Sequence, residues 1–439
     1  MALITKRKVQ HGVYWVEIPE ADLRILCSCP ADCIKHLDVK GFLPMVKKNG
    51  TSIMSGPNAI LLSDVLMQNG SVSNLSEFPL YHMFYFQGMV LADHPNYSAA
   101  NPLLIGNEKQ VSSQLKYFDL GHYGLLNEKE FLKLGETKAF TREYLRMKQK
   151  FAPDDQFIPA KKLIDSRIVE KKRLELRNGV FIKRLKLNVF EISYKGKKIQ
   201  VDLNLRTGQN YQPTYKLPKA KVPEQYFAVA HCGEGDGWNS KQPCLTSLVV
   251  FDGQYYLLDA GPFVLNTLKA FGLKAIDIAG VFFTHIHDDH FAGLCSLTND
   301  DRKLPVYATP IVRSSIQKKL GGLLSTTNRE MAKRIKWVDM RQDEWNKFGK
   351  MEVKPIPTAH PVDTTVFIFR AKDKKRYSTY GHFTDITALK WLKKMIVPGK
   401  TKPGISKEYY QATKKMFSLK MDFKKIDVGG VPIHGDAED

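Results

Sequence analysis

The sequence lacks the features that would tie the chain to a membrane or send it out of the cell. No run of about 18 apolar residues occurs, so no membrane-spanning helix and no membrane partner are expected. The first ten residues, MALITKRKVQ, have neither the apolar core nor the small-residue cleavage site of a secretory signal. These absences predict a cytoplasmic location.

Cysteine is scarce, with six residues in 439. Cys27, Cys29 and Cys33 crowd one segment and the others are scattered, which is not the framework of a disulfide-stapled domain, so we expect reduced thiols. Together with His36, the three crowded cysteines could bind zinc or an iron-sulfur cluster. Because they lack a paired Cys-x-x-Cys spacing, the pattern favours buried structural thiols.

Negative charge is in deficit. The formal net charge is +21, from 66 basic and 45 acidic side chains. Such a field attracts anionic substrates or polyanions. The lysines are spread in short clusters, however, so a solvated basic surface is the plainer interpretation and nucleic-acid binding stays an alternative.

The length predicts two domains. Residues 1–222 read as a mixed α and β accessory domain of undefined role, and the proline-rich stretch Gln212–Pro223 separates them from 223–439. No internal repeat of fixed period is visible. In the first region the patterns predict helices and a hairpin, listed here: helices Asn58–Gln68, Glu77–Gly88, Glu128–Lys148 and Lys161–Arg177, and strands Val189–Tyr194 and Lys198–Leu203 around a turn at Lys195 and Gly196.

The second region has short apolar runs separated by Gly, Asp and Pro, the texture of buried strands in a layered α/β domain. The predicted strands are Tyr226–Ala230, Leu245–Phe251, Tyr255–Asp259, Ala279–Phe283, Met351–Pro357, Arg376–Tyr380 and Lys425–Val428. The predicted helices are Phe263–Phe271, Pro310–Leu320, Ile386–Met395 and Lys407–Met416.

The segment VFFTHIHDDHFAGL concentrates histidine and aspartate directly after an apolar strand. Alternation at a strand end points His285 and His287 the same way, so two imidazoles can bind one metal ion. Asp289 and His290 then turn toward a second ion. Gly293 lets the backbone pack closely where the chain leaves the sheet.

HIHDDH resembles the HxHxDH signature of the metallo-β-lactamase superfamily, and the resemblance covers about residues 224–439. It implies an αββα sandwich with two divalent metal ions. In YYLLDAGP, Asp259 matches the aspartate that braces the metal loop. His360 in PTAHPVD matches the third histidine of the first metal, and His434 in GGVPIHGDAED matches the last histidine of the second, with Asp436 a weak competitor.

Asp385 in YGHFTD matches the carboxylate that bridges both metals, although the family usually writes Gly-Asp where this chain has Thr384 and Asp385. The resemblance thus implies two ligand sets. The first metal takes His285, His287 and His360, the second takes Asp289, His290 and His434, and Asp385 lies between them. Imidazole and carboxylate without thiolate fit zinc, with iron or manganese as alternatives.

The chemistry implied is hydrolysis by a metal-bridging hydroxide, with Asp289 orienting it and His382 as a candidate acid for the leaving group. The basic charge favours a phosphoester or phosphodiester, in a small-molecule, nucleotide-like or nucleic-acid substrate, over a lactone or thioester. A diiron oxygen-binding or redox protein would use nearly the same ligands. A non-enzymatic metal-bearing sensor or scaffold is the further alternative.

Two expectations concern segments near this site. The loop Cys232–Gln242 contains three glycines and Trp238, which could cover a substrate, or it could be a plain connection. The chain stops five residues after His434 with no predicted helix to close the sandwich. We therefore expect the natural protein to continue.

Overall fold

The computed structural model describes residues 3–48, 50–97, 100–298, 302–374, 376–429 and 432–439. Gly430 and Val431, in the quoted segment before His434, lie outside the described residues. Among the described helices, none combines the length and the hydropathy needed to cross a membrane.

The first half of the chain is mixed α and β. Its strands are β1 (Thr5–Gln10), β2 (Val13–Ile18), β3 (Leu23–Cys27), β4 (Met45–Lys48), β5 (Thr51–Met54), β6 (Ala59–Leu61), β7 (Met67–Gln68), β8 (Ser71–Val72), β9 (Leu103–Gly106), β10 (Asp165–Ile168), β11 (Leu174–Arg177), β12 (Val180–Lys186), β13 (Val189–Tyr194) and β14 (Lys197–Asp202). Its helices are α1 (Cys33–Val39), α2 (Glu77–Tyr81), α3 (Glu108–Tyr123), α4 (Glu128–Lys133), α5 (Lys138–Gln149) and α6 (Ala160–Leu163). A π-helical turn, His82–Phe86, extends α2, and 3₁₀ turns lie at Pro19–Ala21 and Pro153–Asp155.

The second half is also mixed α and β. Its strands are β15 (Phe227–Gly233), β16 (Thr246–Phe251), β17 (Gln254–Leu258), β18 (Ile278–Phe282), β19 (Leu304–Ala308), β20 (Ile335–Asp339), β21 (Asn346–Phe348), β22 (Met351–Thr358), β23 (Thr364–Asp373), β24 (Arg376–Phe383) and β25 (Phe423–Ile426). Its helices are α7 (Val264–Ala270), α8 (Asp288–Phe291), α9 (Leu294–Leu297), α10 (Pro310–Leu324), α11 (Asn328–Met331), α12 (Leu389–Lys394) and α13 (Lys407–Phe417), with a 3₁₀ turn at Ala275–Asp277.

Two sheets form the centre of the second half. One has the order β15-β16-β17-β18-β19-β20 and the other β21-β22-β23-β24-β25. Their facing sides pack together through apolar side chains such as Phe282, Phe367 and Phe369. The outer side of the first sheet packs on α7 and α10, and that of the second packs on α13 through Phe417. This is the predicted αββα sandwich.

The first half repeats this topology. Its main sheet has the order β1-β2-β3-β6-β9-β10, with two antiparallel pairings followed by three parallel ones, and β15 to β20 show the same series. An antiparallel sheet, β11-β12-β13-β14, packs on it. Thus the first half has one sheet-on-sheet core, and α1 and α3 cover the outer side of its main sheet.

Backbone details match between the two halves as well. Ser28 and Asp259 both follow a strand in the left-handed conformation, and their amides donate to Leu61 and Phe282 at 2.7 and 2.8 Å. Three residues after each acceptor stand Asp64 and His285. Asp64 is paired with Arg184 at 2.8 Å, so an ion pair occupies the place that the second half gives to its first histidine. The repeat is structural, since the two halves share strand order and pairing while the sequence shows no repeat of fixed period.

The halves share buried surface. Helix α3 packs against α10, and Tyr117 of α3 belongs to the same apolar core as Val312 and Ile316 of α10. The boundary at 212–223 stays a prediction.

Several predicted elements are confirmed and two are wrong. The predicted helix Glu128–Lys148 is instead two helices, α4 and α5, with Gly135 at a φ of 96° between them. Lys195 and Gly196 have φ values of 45° and 76°, as a two-residue hairpin turn requires. The predicted helix Asn58–Gln68 is instead β6 and β7, because a short buried apolar run suits a central parallel strand as well as a helix. The predicted helix Lys161–Arg177 is instead the short α6 followed by β10 and β11, since pairing of β10 with β9 overrides the helical preference of its charged residues.

Candidate metal centre

The loop after β18 is fixed by Asp259 at the end of the neighbouring strand β17. The carboxylate of Asp259 accepts from the Thr284 amide at 2.8 Å, from the Thr284 hydroxyl at 2.6 Å, and lies 2.7 Å from Nδ1 of His290. Holding Nδ1 of His290 leaves Nε2 for a ligand role. The predicted bracing function of Asp259 matches this geometry.

Close backbone approach also shapes this loop. A Cβ at Gly293 would lie 2.3 Å from the carbonyl oxygen of Gly261 and 2.8 Å from that of Ala260. The amide of Gly293 donates to that Ala260 oxygen at 2.8 Å. Only glycine allows this contact between the metal loop and the turn after β17, as the sequence predicted.

Three imidazoles converge beside the loop. Nδ1 of His287 lies 3.1 Å from Nε2 of His285 and 3.1 Å from Nε2 of His360. Ligand atoms about 2.1 Å from a tetrahedral zinc ion would be about 3.4 Å apart. The spacing of these nitrogens therefore fits one metal ion between them.

The three histidines are poised as neutral ligands. Burial and the neighbouring His290 lower the pKa of His285 to about 4. Burial and the neighbouring His285 hold the pKa of both His287 and His360 well below the usual range. Neutral imidazole is the form that binds a metal ion.

Asp385, after β24, stands between this triad and a second group. Its Oδ2 lies 3.4 Å from Nε2 of His285 and 3.3 Å from Nε2 of His290, while its Oδ1 lies 3.7 Å from Nδ1 of His434. Burial opposes the charged form, but His290 and the hydrogen bond with His285 hold the pKa of Asp385 well below its usual range. The carboxylate therefore faces both groups in its ionised form, despite the Thr384 that replaces the usual glycine.

The second group is less complete than the first: among the described residues, Asp385, Asp427 and His434 bring their ligand atoms together, whereas the predicted ligands Asp289 and His290 lie outside both groups. Within the described part of the chain, Oδ1 of Asp289 is buried without a hydrogen-bond partner, whereas Nε2 of His290 faces Oδ2 of Asp385 at 3.3 Å. Buried polar atoms are nearly always paired, so the Asp289 oxygen fits a place where an ion completes the site. His434 contributes Nδ1, which also lies 3.0 Å from Oδ2 of Asp427.

Asp427 was missed from the sequence. It follows β25, and with Asp385 and His434 it forms a group whose ligand atoms lie within 4.8 Å of one another. Its position in the sequence could have indicated it. Asp427 directly follows β25, which pairs in parallel with β24, so it lies at the same sheet edge as Asp385. Asp436, the weak competitor, is instead paired with Lys390 near the surface.

His382 lies in β24, three residues before Asp385. Its Nδ1 is 2.7 Å from the Tyr380 hydroxyl, its side chain is buried, and it is outside both groups that could hold a metal. Burial and the nearby Lys425 keep the pKa of His382 well below the usual range. It is therefore a neutral imidazole near neutral pH.

An aromatic side chain of the first half packs against the three histidines of the first group. The Tyr81 ring meets the His287 ring edge to face at 6.2 Å between centroids. Trp238, of the loop after β15, packs on Phe86 at 4.5 Å and on Phe78 at 4.9 Å. The loop is thus anchored to the first half through Trp238, and is more than a plain connection.

The crowded cysteines behave as structural thiols. Cys29 and Cys33 belong to one apolar core and Cys27 to another. Nε2 of His36 lies 2.6 Å from the Gln212 carbonyl oxygen. Over the described ranges, the groups that could hold a metal contain His and Asp and none of these cysteines.

Parts of the chain are similar to known proteins. The family model described as anti-Pycsar protein Apyc1 matches residues 227–396, less than half of the chain. A ribonuclease Z from Nanoarchaeum equitans (strain Kin4-M) is 28% identical over 136 residues, which are 30% of this chain and 42% of the ribonuclease. The chain thus spans less than half the length of that curated relative.

Two solved structures to which parts of the chain are similar are as follows. A diphosphatase from the PhnP family has a TM-score of 0.34 at 15% identity, over 48% of this chain and 78% of that one. Human tRNase Z, short form, has a TM-score of 0.30 at 16% identity, over 45% of this chain and 92% of that one. The strand order, the sheet packing and the His and Asp cluster of this chain confirm the predicted resemblance: its C-terminal half has the metallo-β-lactamase fold.

Proposed function

We propose that this protein is a dinuclear metal-dependent hydrolase that acts on a phosphoester or phosphodiester. The observation that carries the proposal is the convergence of three neutral imidazoles, in which Nδ1 of His287 lies 3.1 Å from a nitrogen of each of the other two, with the Asp385 carboxylate facing both them and a second group. A buried cluster of this kind is costly unless an ion binds it.

In this proposal His285, His287 and His360 hold the first metal ion. Asp289, His290 and His434 hold the second, and Asp385 contacts both. Asp427 lies 3.0 Å from Nδ1 of His434, the same nitrogen that faces Asp385, so its carboxylate is a further candidate ligand of the second ion. The donor set of imidazole and carboxylate fits zinc, with manganese or iron as alternatives.

Two bound divalent ions would supply hydroxide at neutral pH and Lewis-acid stabilisation of the attacked group. Asp289 would orient the attacking water through its buried, unpaired Oδ1. Burial raises the pKa of Tyr380, so its phenol stays protonated, and the hydroxyl lies 2.7 Å from Nδ1 of His382. His382 would then act toward the leaving group as a neutral imidazole, which is a narrower role than the acid expected from the sequence.

The phosphoester preference rests on charge and relatedness. The formal net charge of +21 draws anionic substrates toward the chain, whether nucleotide-like molecules or nucleic acid. The matched relative is named as a ribonuclease, an enzyme class that cleaves phosphodiesters. The cysteines of the chain are free thiols, which fits the cytoplasmic location that we include in the proposal.

The test combines elemental analysis with turnover. We expect about two zinc or manganese ions per chain, and hydrolysis of bis(p-nitrophenyl) phosphate but not of a lactone or a thioester. Two irons with visible absorption and no hydrolysis would instead establish the diiron alternative. Two metals with no turnover of any substrate would leave a sensor or scaffold.

Matched aspartate variants separate ligand loss from general damage. Asp289→Asn should abolish turnover and lower the metal content, whereas Asp436→Asn, the same change at the surface pair with Lys390, should do neither. Full turnover in Asp289→Asn would contradict the assignment.

A further inference from the structure

We propose that two buried ion pairs contributed by the first half of the chain position the two metal-bearing loops of the second half. In this view Glu77 and Lys148 are positioning residues for metal binding, and the first half is an essential support of the site. The inference rests on the metal site of the proposed function.

The first brace consists of Glu77, Tyr117, Asp288 and Lys319. Asp288 lies between the ligands His287 and Asp289, and its amide donates to Oε1 of Glu77 at 2.9 Å. Nζ of Lys319 donates to Oε2 of Glu77 at 2.5 Å and to Oδ1 of Asp288 at 2.9 Å, and the Tyr117 hydroxyl donates to the same Asp288 oxygen.

This brace also holds the backbone of the loop. Lys319 donates to the carbonyl oxygen of Ile286, which stands between His285 and His287. The Glu77 and Lys319 side chains are fully buried. A Cβ at Gly121 of α3 would lie 1.7 Å from Oε2 of Glu77, so the helix provides the space for this carboxylate.

The second brace consists of Lys148, Asp363, Ser315 and the backbone of Leu125. Asp363 comes three residues after the ligand His360. Nζ of Lys148 lies 2.9 Å from its Oδ1, and the Leu125 amide and the Ser315 hydroxyl each donate to its Oδ2 at 2.7 Å. Lys148 and Asp363 are both fully buried.

Stability alone does not explain these contacts. A buried ion pair is usually no more stabilising than an apolar pair of similar size, because desolvation offsets the attraction. A buried ion pair does fix the direction and the distance between its two charged groups. In each brace one aspartate, Asp288 or Asp363, lies within three residues of a predicted ligand. Partners that orient metal ligands typically change metal affinity by about 10- to 100-fold when removed.

The experiment measures metal binding by the full-length protein. Zinc affinity is determined by competition with a chromophoric chelator, and the visible spectrum of the cobalt(II) form reports the ligand geometry. Unfolding in urea is measured in parallel. The variants are Glu77→Gln, which keeps shape but removes charge, and the double variant Lys148→Met with Asp363→Asn, which leaves no unpaired charge.

Arg184→Met is the matched control, because it breaks the Arg184 and Asp64 pair in the corresponding loop of the first half. We expect at least tenfold weaker zinc binding and an altered cobalt spectrum in both brace variants, and a change below twofold in the control. Ser315→Ala removes only one hydrogen bond and should weaken zinc binding less, so it replaces the double variant if that protein does not fold.

Zinc affinity within twofold of wild type in the brace variants, with an unchanged cobalt spectrum, would overturn the inference even if they unfold more readily. Turnover is not a readout here. A wild-type protein that binds two metals and hydrolyses nothing would refute the hydrolase proposal and leave the braces intact.

Discussion

Removal of the Asp259 carboxylate should damage both the stability of the protein and its metal site. The carboxylate accepts two hydrogen bonds from Thr284 and contacts Nδ1 of His290, all within 2.8 Å and fully buried. Hydrogen bonds to a buried charged group contribute about 1.5 kcal/mol each or more. Three of them predict that Asp259→Ala lowers the free energy of unfolding by about 4 kcal/mol.

The same change should weaken zinc binding by about 10- to 100-fold, because His290 loses the partner that orients Nε2. Urea unfolding of the metal-free protein gives the first quantity, and chelator competition gives the second. Asp93→Ala, at an exposed aspartate of the first half, is the control and should change neither. A loss below about 1 kcal/mol with unchanged zinc affinity would refute the reasoning, since a buried carboxylate with three partners cannot be removed at so small a cost.

Three further predictions concern packing, thiols and pH. Gly293→Ala should lower the free energy of unfolding by about 1 to 3 kcal/mol through its clash with backbone oxygens, measured by urea unfolding, and an unchanged midpoint would contradict the close contact. Burial raises the pKa of Cys29 and Cys295 to about 12, so these two thiols should react with a thiol reagent at pH 8 only after unfolding. Rapid reaction of either thiol in the native protein would argue against its burial. Burial lowers the pKa of His122 to about 3, whereas an unfolded histidine binds a proton below about pH 6.5, so this group should cost the folded state about 1.4 kcal/mol for each pH unit from 6.5 down toward 3. His122→Gln should show a shallower loss of stability in urea unfolding between pH 6.5 and 4.5, and equal slopes would contradict that assignment.

The sequence predicted the second half of the fold well because its signals are local. Apolar runs bounded by Gly, Asp and Pro marked most strands, and the spacing of His285, His287, Asp289 and His290 fixed the type of site. Two predictions failed in the first half, where the helices Asn58–Gln68 and Lys161–Arg177 were expected and strands are found. Both are short segments whose strand character comes from pairing with β3, β9 and their neighbours, which no local pattern records.

The sequence by itself determined the chemistry of the proposed metal ligands, since imidazoles and carboxylates that follow neighbouring parallel strands lie at the same edge of a sheet. The tertiary structure alone decided what supports them. It brought Asp427 next to His434 and set Glu77 and Lys148 against loops more than 200 residues away along the chain. It also placed a second copy of the sheet topology against the first. Such contacts depend on how separate elements pack, and packing leaves no trace in the spacing of residues along one segment.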